Sequence, residues 1–171
     1  MVSGRGRRGA LTQAAPRFMG VHDMGKPVLG AQLYTVRNCT QTVADIRETF
    51  RRVKDIGYTA AQISGFGPVD PAELDRAVRD SGLIIEATHV AWDRFLKDLD
   101  GLIDQHRRWG CVHPAIGGLP PEYFTAEGLD RFIRELAPVA ERLAAAGMDF
   151  SYHNHHHESA RCGRRSWLDQ L

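Results

Sequence analysis

From Val28 onward, short apolar runs alternate with longer stretches in which apolar residues recur every three or four positions. The runs are Val28 to Tyr34, Tyr58 to Ser64, Leu83 to Val90, Cys111 to Ile116 and Met148 to His153. Each is short enough for a strand and too short for a buried helix. The stretches between them place Val43, Ile46, Phe50, Val53 and Ile56 on one helical face. The same holds for Leu74, Ala77 and Val78, then for Leu99, Leu102, Ile103 and His106, and finally for Leu129, Phe132, Ile133, Leu136, Val139 and Leu143. Gly57, Gly82, Gly110 and Gly147 follow these four helices, where a left-handed residue commonly turns a chain out of a helix. Asp70-Pro71-Ala72-Glu73 adds a start signal, with Asp70 as cap, Pro71 at the first helical position and Glu73 able to reach back.

Strand and helix alternating at this spacing predict βα units, whose crossovers make neighbouring strands parallel. Two architectures use such units, an open doubly wound sheet and a closed (β/α)8 barrel. The first strand-to-helix loop, Tyr34-Thr35-Val36-Arg37-Asn38-Cys39-Thr40, has neither GxGxxG nor a P-loop and so argues against a dinucleotide fold. The reading is α/β: part of a (β/α)8 TIM barrel, with four βα units and a fifth parallel strand. Ser159 to Leu171 reads as the loop and first turn of a fifth helix.

Composition changes little. The 171 residues are 43% apolar and 25% charged, with a formal net charge of +1, which fits one globular domain. Residues 1–27 depart from that average, holding Arg5, Arg7, Arg8, Arg17 and Lys26 against Asp23 alone. They read as a disordered basic extension ahead of a domain at 28–171. A nucleic-acid arm or transit sequence is one explanation, and an extended translation start, with Met19 and Met24 close to the domain, is the other. Outside the extension the chain is slightly acidic, without a basic strip, so no nucleic-acid partner is expected. No apolar stretch is long enough for a membrane. Three dispersed cysteines (Cys39, Cys111, Cys162) fit free thiols and a cytoplasmic location.

The chemistry gathers where strands end, the place a barrel keeps its active site. In the fifth run Met148, Phe150 and Tyr152 alternate with Asp149, Ser151, His153 and His155, so the polar row is expected to face the barrel interior. His153 and His155, two apart, point the same way and can share a cation with Glu158. His156 and His157 read as solvated loop residues, and His106 and His113 as structural. His89 ends the third strand and is either a site residue or a core histidine. Gln32 and Gln62 suit hydroxyl recognition better than proton transfer.

Gly30-Ala31-Gln32-Leu33-Tyr34-Thr35-Val36-Arg37, Gly57-Tyr58 leading to Gln62, Ala87-Thr88-His89, and Tyr152-His153-Asn154-His155 with Glu158 together resemble the sugar phosphate isomerase/epimerase family, a group with a xylose-isomerase-like TIM barrel. The resemblance covers residues 28–171. It implies metal-dependent proton transfer next to a sugar carbonyl or hydroxyl, with Glu158 and His153 catalytic. It also implies that Gln32, Tyr34, Gln62 and His89 bind a small carbohydrate, and that His153, His155 and Glu158 hold manganese or magnesium rather than zinc. Many relatives carry Glu where this chain has His153 and Gln62. A barrel of this kind takes about 250 residues, and in the family strands six to eight supply an Asp, a His and a Glu to the metal. The expectation is therefore a truncated, incompletely liganded site with little activity alone, and an open sheet whose edges and apolar inner face invite self-association. The alternative is a non-enzymatic half-barrel that binds a metal or a partner; an endonuclease on the same barrel is a weaker third.

Overall fold

The computed structural model describes residues 28–171. The basic extension predicted at 1–27 lies outside them.

Five parallel strands, β1 (Gly30–Gln32), β2 (Ala60–Ile63), β3 (Ile84–Val90), β4 (Pro114–Ile116) and β5 (Ser151–Tyr152), pair in sequence order. The helices between them are α1 (Val43–Ile56), α2 (Pro71–Ser81), α3 (Trp92–Lys97) with α4 (Leu99–Trp109), and α5 (Ala126–Ala145). Unbroken sequence order with right-handed crossovers keeps the helices on one side, as in a barrel; a doubly wound sheet reverses its order midway. This is a partial TIM barrel, as the alternation predicted.

Local signals act as expected. Asp70 accepts 3.0 Å hydrogen bonds from the backbone N–H groups of Ala72 and Glu73, starting α2 at Pro71. Gly57, Gly82 and Gly110 adopt left-handed conformations as they close α1, α2 and α4. Short α3 was not foreseen: Trp92 and Phe95, both buried, lie in the loop after β3. On α5, Leu129, Phe132, Val139 and Leu143 are buried, whereas Ile133, predicted on the same face, is 42% exposed.

Two apolar clusters fill the space between sheet and helices. One joins α1 and α2 to β2 and β3 through Phe50, Ala61, Ala77 and Ile85. The other joins α3, α4 and α5 to the later strands through Trp92, Leu102, Ile116, Phe132 and Leu143.

The tail differs from its expectation. Instead of beginning a fifth helix, it forms a hairpin of β6 (Arg161–Cys162) and β7 (Arg165–Ser166) and delivers Trp167 to the second cluster, where it is 1% exposed. Its indole N–H donates to the backbone oxygen of Tyr123 at 2.9 Å, and its ring stacks on Phe132. Arg161-Cys162-Gly163-Arg164-Arg165-Ser166 is too polar for a helix face, and Gly163 takes the left-handed turn a hairpin needs.

The sheet's other face differs too. Ile84, Glu86, Val112, Asp149 and Ser151 are exposed on it, so it is mixed rather than apolar. Within the sheet, β1 and β5 are the edges.

Candidate functional site

At the carboxyl end of the sheet, each strand presents a polar side chain or a glycine. Gln32 pairs in register with Gln62, and His89 with Ala115. Reaching this arrangement takes an irregularity in β3. Ala61 pairs with Ile85, but Gln62 pairs with Ala87, so β3 holds one residue more than β2. Ile85 and Thr88 both face the helices, an odd spacing that strict alternation forbids. His89 thereby turns to the inner face.

Thr88 Oγ1 and His106 Nε2 lie 2.7 Å apart, and His106 Nδ1 is 2.8 Å from the backbone oxygen of Leu102. His106 is thus a fully enclosed, hydrogen-bonded core histidine, and burial depresses its pKa first of all. His113 pairs with Asp149 at 2.7 Å on the surface.

Two groups of histidines form on the other side. In the first, the ring of His89 lies 4.8 Å from that of His153, which lies 4.7 Å from His155. With Gln32, Tyr34, Ser64 and Gly117 they line a cavity of about 190 Å³. His89 Nδ1 is 3.0 Å from Ser64 Oγ. Burial, then the neighbouring His153 and His155, lowers the His89 pKa, favouring the neutral ring. Gly117 makes the packing feasible, because a Cβ there would come within 3.2 Å of the His89 ring. Gln62 lies beside Gln32 in the sheet, outside the cavity lining. Gln32 also bonds its own loop, accepting from the Thr35 N–H at 3.3 Å. Tyr34 is 49% exposed, with the Arg37 guanidinium 4.4 Å above its ring.

In the second group, ligand atoms of His155, His157 and Glu158 lie within 4.8 Å of one another. Glu158 is fully buried, accepting from the Tyr152 hydroxyl at 2.8 Å and from the His155 N–H at 2.8 Å. Burial works to raise its pKa. The hydrogen bonds from Tyr152, His155 and its own backbone N–H, with His157 nearby, outweigh this and hold it below the ordinary carboxylate value. Tyr152 is pushed up in turn, by burial and by the Glu158 carboxylate.

His153, His155 and Glu158, expected to share one ion, are therefore divided. His153 faces His89, Glu158 sits with His157, and His155 belongs to both groups. The histidine-rich stretch His153 to His157 hid the role of His157, because strand alternation ends at Tyr152 and the short 3₁₀ turn His157–Ser159 brings that ring back.

The fold has known counterparts. Two structures of a sugar phosphate isomerase/epimerase from Parabacteroides distasonis superimpose with TM-scores of 0.64 and 0.61, each at 20% identity, over 82% and 81% of this chain. The fold is that of the sugar phosphate isomerase/epimerases. An AP endonuclease, family 2, from Brucella melitensis follows at a TM-score of 0.51 and 16% identity, over 74% of this chain. The chain spans 56%, 58% and 55% of those three proteins, about half a barrel. No family model matches the sequence, and no curated protein matches it.

Proposed function

We propose that this half-barrel serves a metal-dependent sugar isomerase or epimerase reaction, in which a proton moves on a carbon next to a carbonyl or hydroxyl. The observation that carries the reading is the facing pair His89 and His153 in a cavity rimmed by Gln32, Tyr34 and Ser64. Amide and hydroxyl groups recognise sugar hydroxyls. Among the described residues the lining holds neither lysine nor arginine, which favours a polyol part of the substrate over a phosphate there. The same composition weighs against the endonuclease reading, since a nucleic-acid backbone calls for basic contacts.

His153 is exposed and suits the proton carrier, since an imidazole nitrogen can both accept and donate a proton. His89, favoured neutral and anchored by Ser64, leaves Nε2 to accept or return a proton. Gln62, next to Gln32 in register, extends the hydroxyl-binding row along the sheet. Glu158 has both oxygens engaged and no exposed surface, so it supports His155 and an ion rather than reaching the substrate.

A divalent ion at the end of β5 would polarise the substrate oxygens and stabilise negative charge developing there. Two imidazoles and a carboxylate fit manganese or zinc better than magnesium, which prefers an all-oxygen shell. The free thiols of Cys39 and Cys111 support a reducing compartment such as the cytoplasm.

Solvent deuterium incorporation into ketoses and cyclic polyol ketones, followed by NMR with Mn²⁺ present, tests the reading. A barrel completed to eight strands is expected to exchange the proton next to the carbonyl, and this chain alone to stay near background. Exchange that survives His153→Gln in the completed barrel would overturn it.

A further inference from the structure

Glu158 poses a problem of charge. It is fully buried, yet the groups that bond its two oxygens are the Tyr152 hydroxyl and the His155 N–H, and among the described residues no lysine or arginine pairs with it. Buried carboxylates are ordinarily balanced by a cationic side chain or by a metal. The side chains that converge on this one are two exposed imidazoles.

We infer that His155, His157 and Glu158 form a binding site for one divalent transition-metal ion on the rim of the sheet, at the edge of the cavity shared by His89 and His153, with His155 lining both. The inference rests on the ion-binding part of the function proposed above and assigns its ligands, with His157 replacing His153. Nitrogen and carboxylate ligands stand about 2.0–2.2 Å from zinc, so two of them around a tetrahedral ion are roughly 3.3–3.6 Å apart. The donors here lie within 4.8 Å of one another, and rotation of the two exposed rings about their side-chain bonds brings them to that spacing. Each carboxylate oxygen has two lone pairs, so the bonds from Tyr152 and His155 leave room for a metal. Such bonds also orient a carboxylate that ligates a metal.

Site and core are coupled through one ring. His157 packs against Phe124 at 5.4 Å, and Phe124 against Trp167 at the same separation. An ion held by His157 would fasten the loop after β5 onto the tail that carries Trp167.

The test is titration of the untagged 171-residue chain with Zn²⁺, which binds nitrogen-rich sites more tightly than Mn²⁺, by calorimetry and by thermal shift. One ion per chain and a raised melting temperature are expected. His157→Asn should weaken binding by at least the roughly tenfold that loss of a supporting partner alone costs, and should remove the thermal shift. His156→Asn and His153→Asn should leave both unchanged. Circular dichroism of each variant verifies its fold, and His155→Asn replaces His157→Asn if that variant does not fold. Absence of binding, or binding lost with His153→Asn but kept with His157→Asn, would overturn the site. Zn²⁺ binding through His157 without sugar exchange in the completed barrel would remove the isomerase reading and leave the site standing.

Discussion

Ser64 and His89 meet across β2 and β3 through a 3.0 Å hydrogen bond between Oγ and Nδ1, with the ring of His153 beyond. The bond fixes the imidazole, and its enclosure carries a pH signature. Burial comes first among the causes that place the pKa values of His89 and His106 below the ordinary 6.5. In the window between the lowered folded values and 6.5, the unfolded chain binds more protons than the folded one, so stability rises with pH. Thermal unfolding temperature is expected to fall as pH drops below the ordinary 6.5 toward the lowered folded values of the two rings. His106→Gln should flatten that slope, and an unchanged slope would contradict this account.

Gly117→Ala acts on the same ring from the next strand. The new Cβ would press within 3.2 Å of His89, which must tilt away from Ser64 or push the loop outward. Stability should fall by about 1 kcal/mol, at the low end of overpacking effects. The decisive reading is in ¹⁵N-detected spectra of the imidazoles, where the His89 signals should move far more than those of His106.

Trp167 gives the largest predicted loss. Its indole is enclosed by Phe124, Phe132 and Tyr152 and bonded to the Tyr123 carbonyl. Trp167→Ala should cost about 3–5 kcal/mol, as for other buried aromatic truncations. Urea unfolding followed by circular dichroism measures it. A loss much smaller than this would mean that the tail does not pack on the core.

Asp75 ties two helices together. It is 8% exposed and accepts from Arg108 Nε at 2.6 Å and from the Trp109 indole at 2.8 Å, joining α2 to α4. Asp75→Asn keeps the volume but sets an amide N–H₂ against donors, and should cost about 1–3 kcal/mol. The same unfolding experiment checks it, with Asp80→Asn, on the exposed side of α2, as the comparison.

Much of the fold was legible in the sequence, because helix periodicity, closing glycines and the Asp70-Pro71 start are local and strong. The placement of Gln32, Ser64, His89 and His153 at one end of a parallel sheet followed from that alternation. Three features did not. Leu129 to Leu143 repeats like a helix facing one way, yet Ile133 falls at the margin of the stripe and meets solvent. Trp167 lies in a polar segment without periodicity, so its burial depends on a pocket assembled from Phe124, Phe132 and Tyr152, all well before it in the sequence. The separation of His153 from Glu158 depends on where β5 stops and a 3₁₀ turn begins, and successive histidines give no cue to that boundary.

The unequal count between β2 and β3 has a consequence for insertions and deletions. Removing Glu86 would make the pairs Ala61–Ile85 and Gln62–Ala87 contiguous, and His89 would still look inward from a regular strand. Adding a residue between Ala87 and Thr88 would swing that imidazole toward the helices and bring Thr88 off His106. This stretch of backbone should therefore accept shortening and resist lengthening, an asymmetry that no exchange of one side chain for another would reveal.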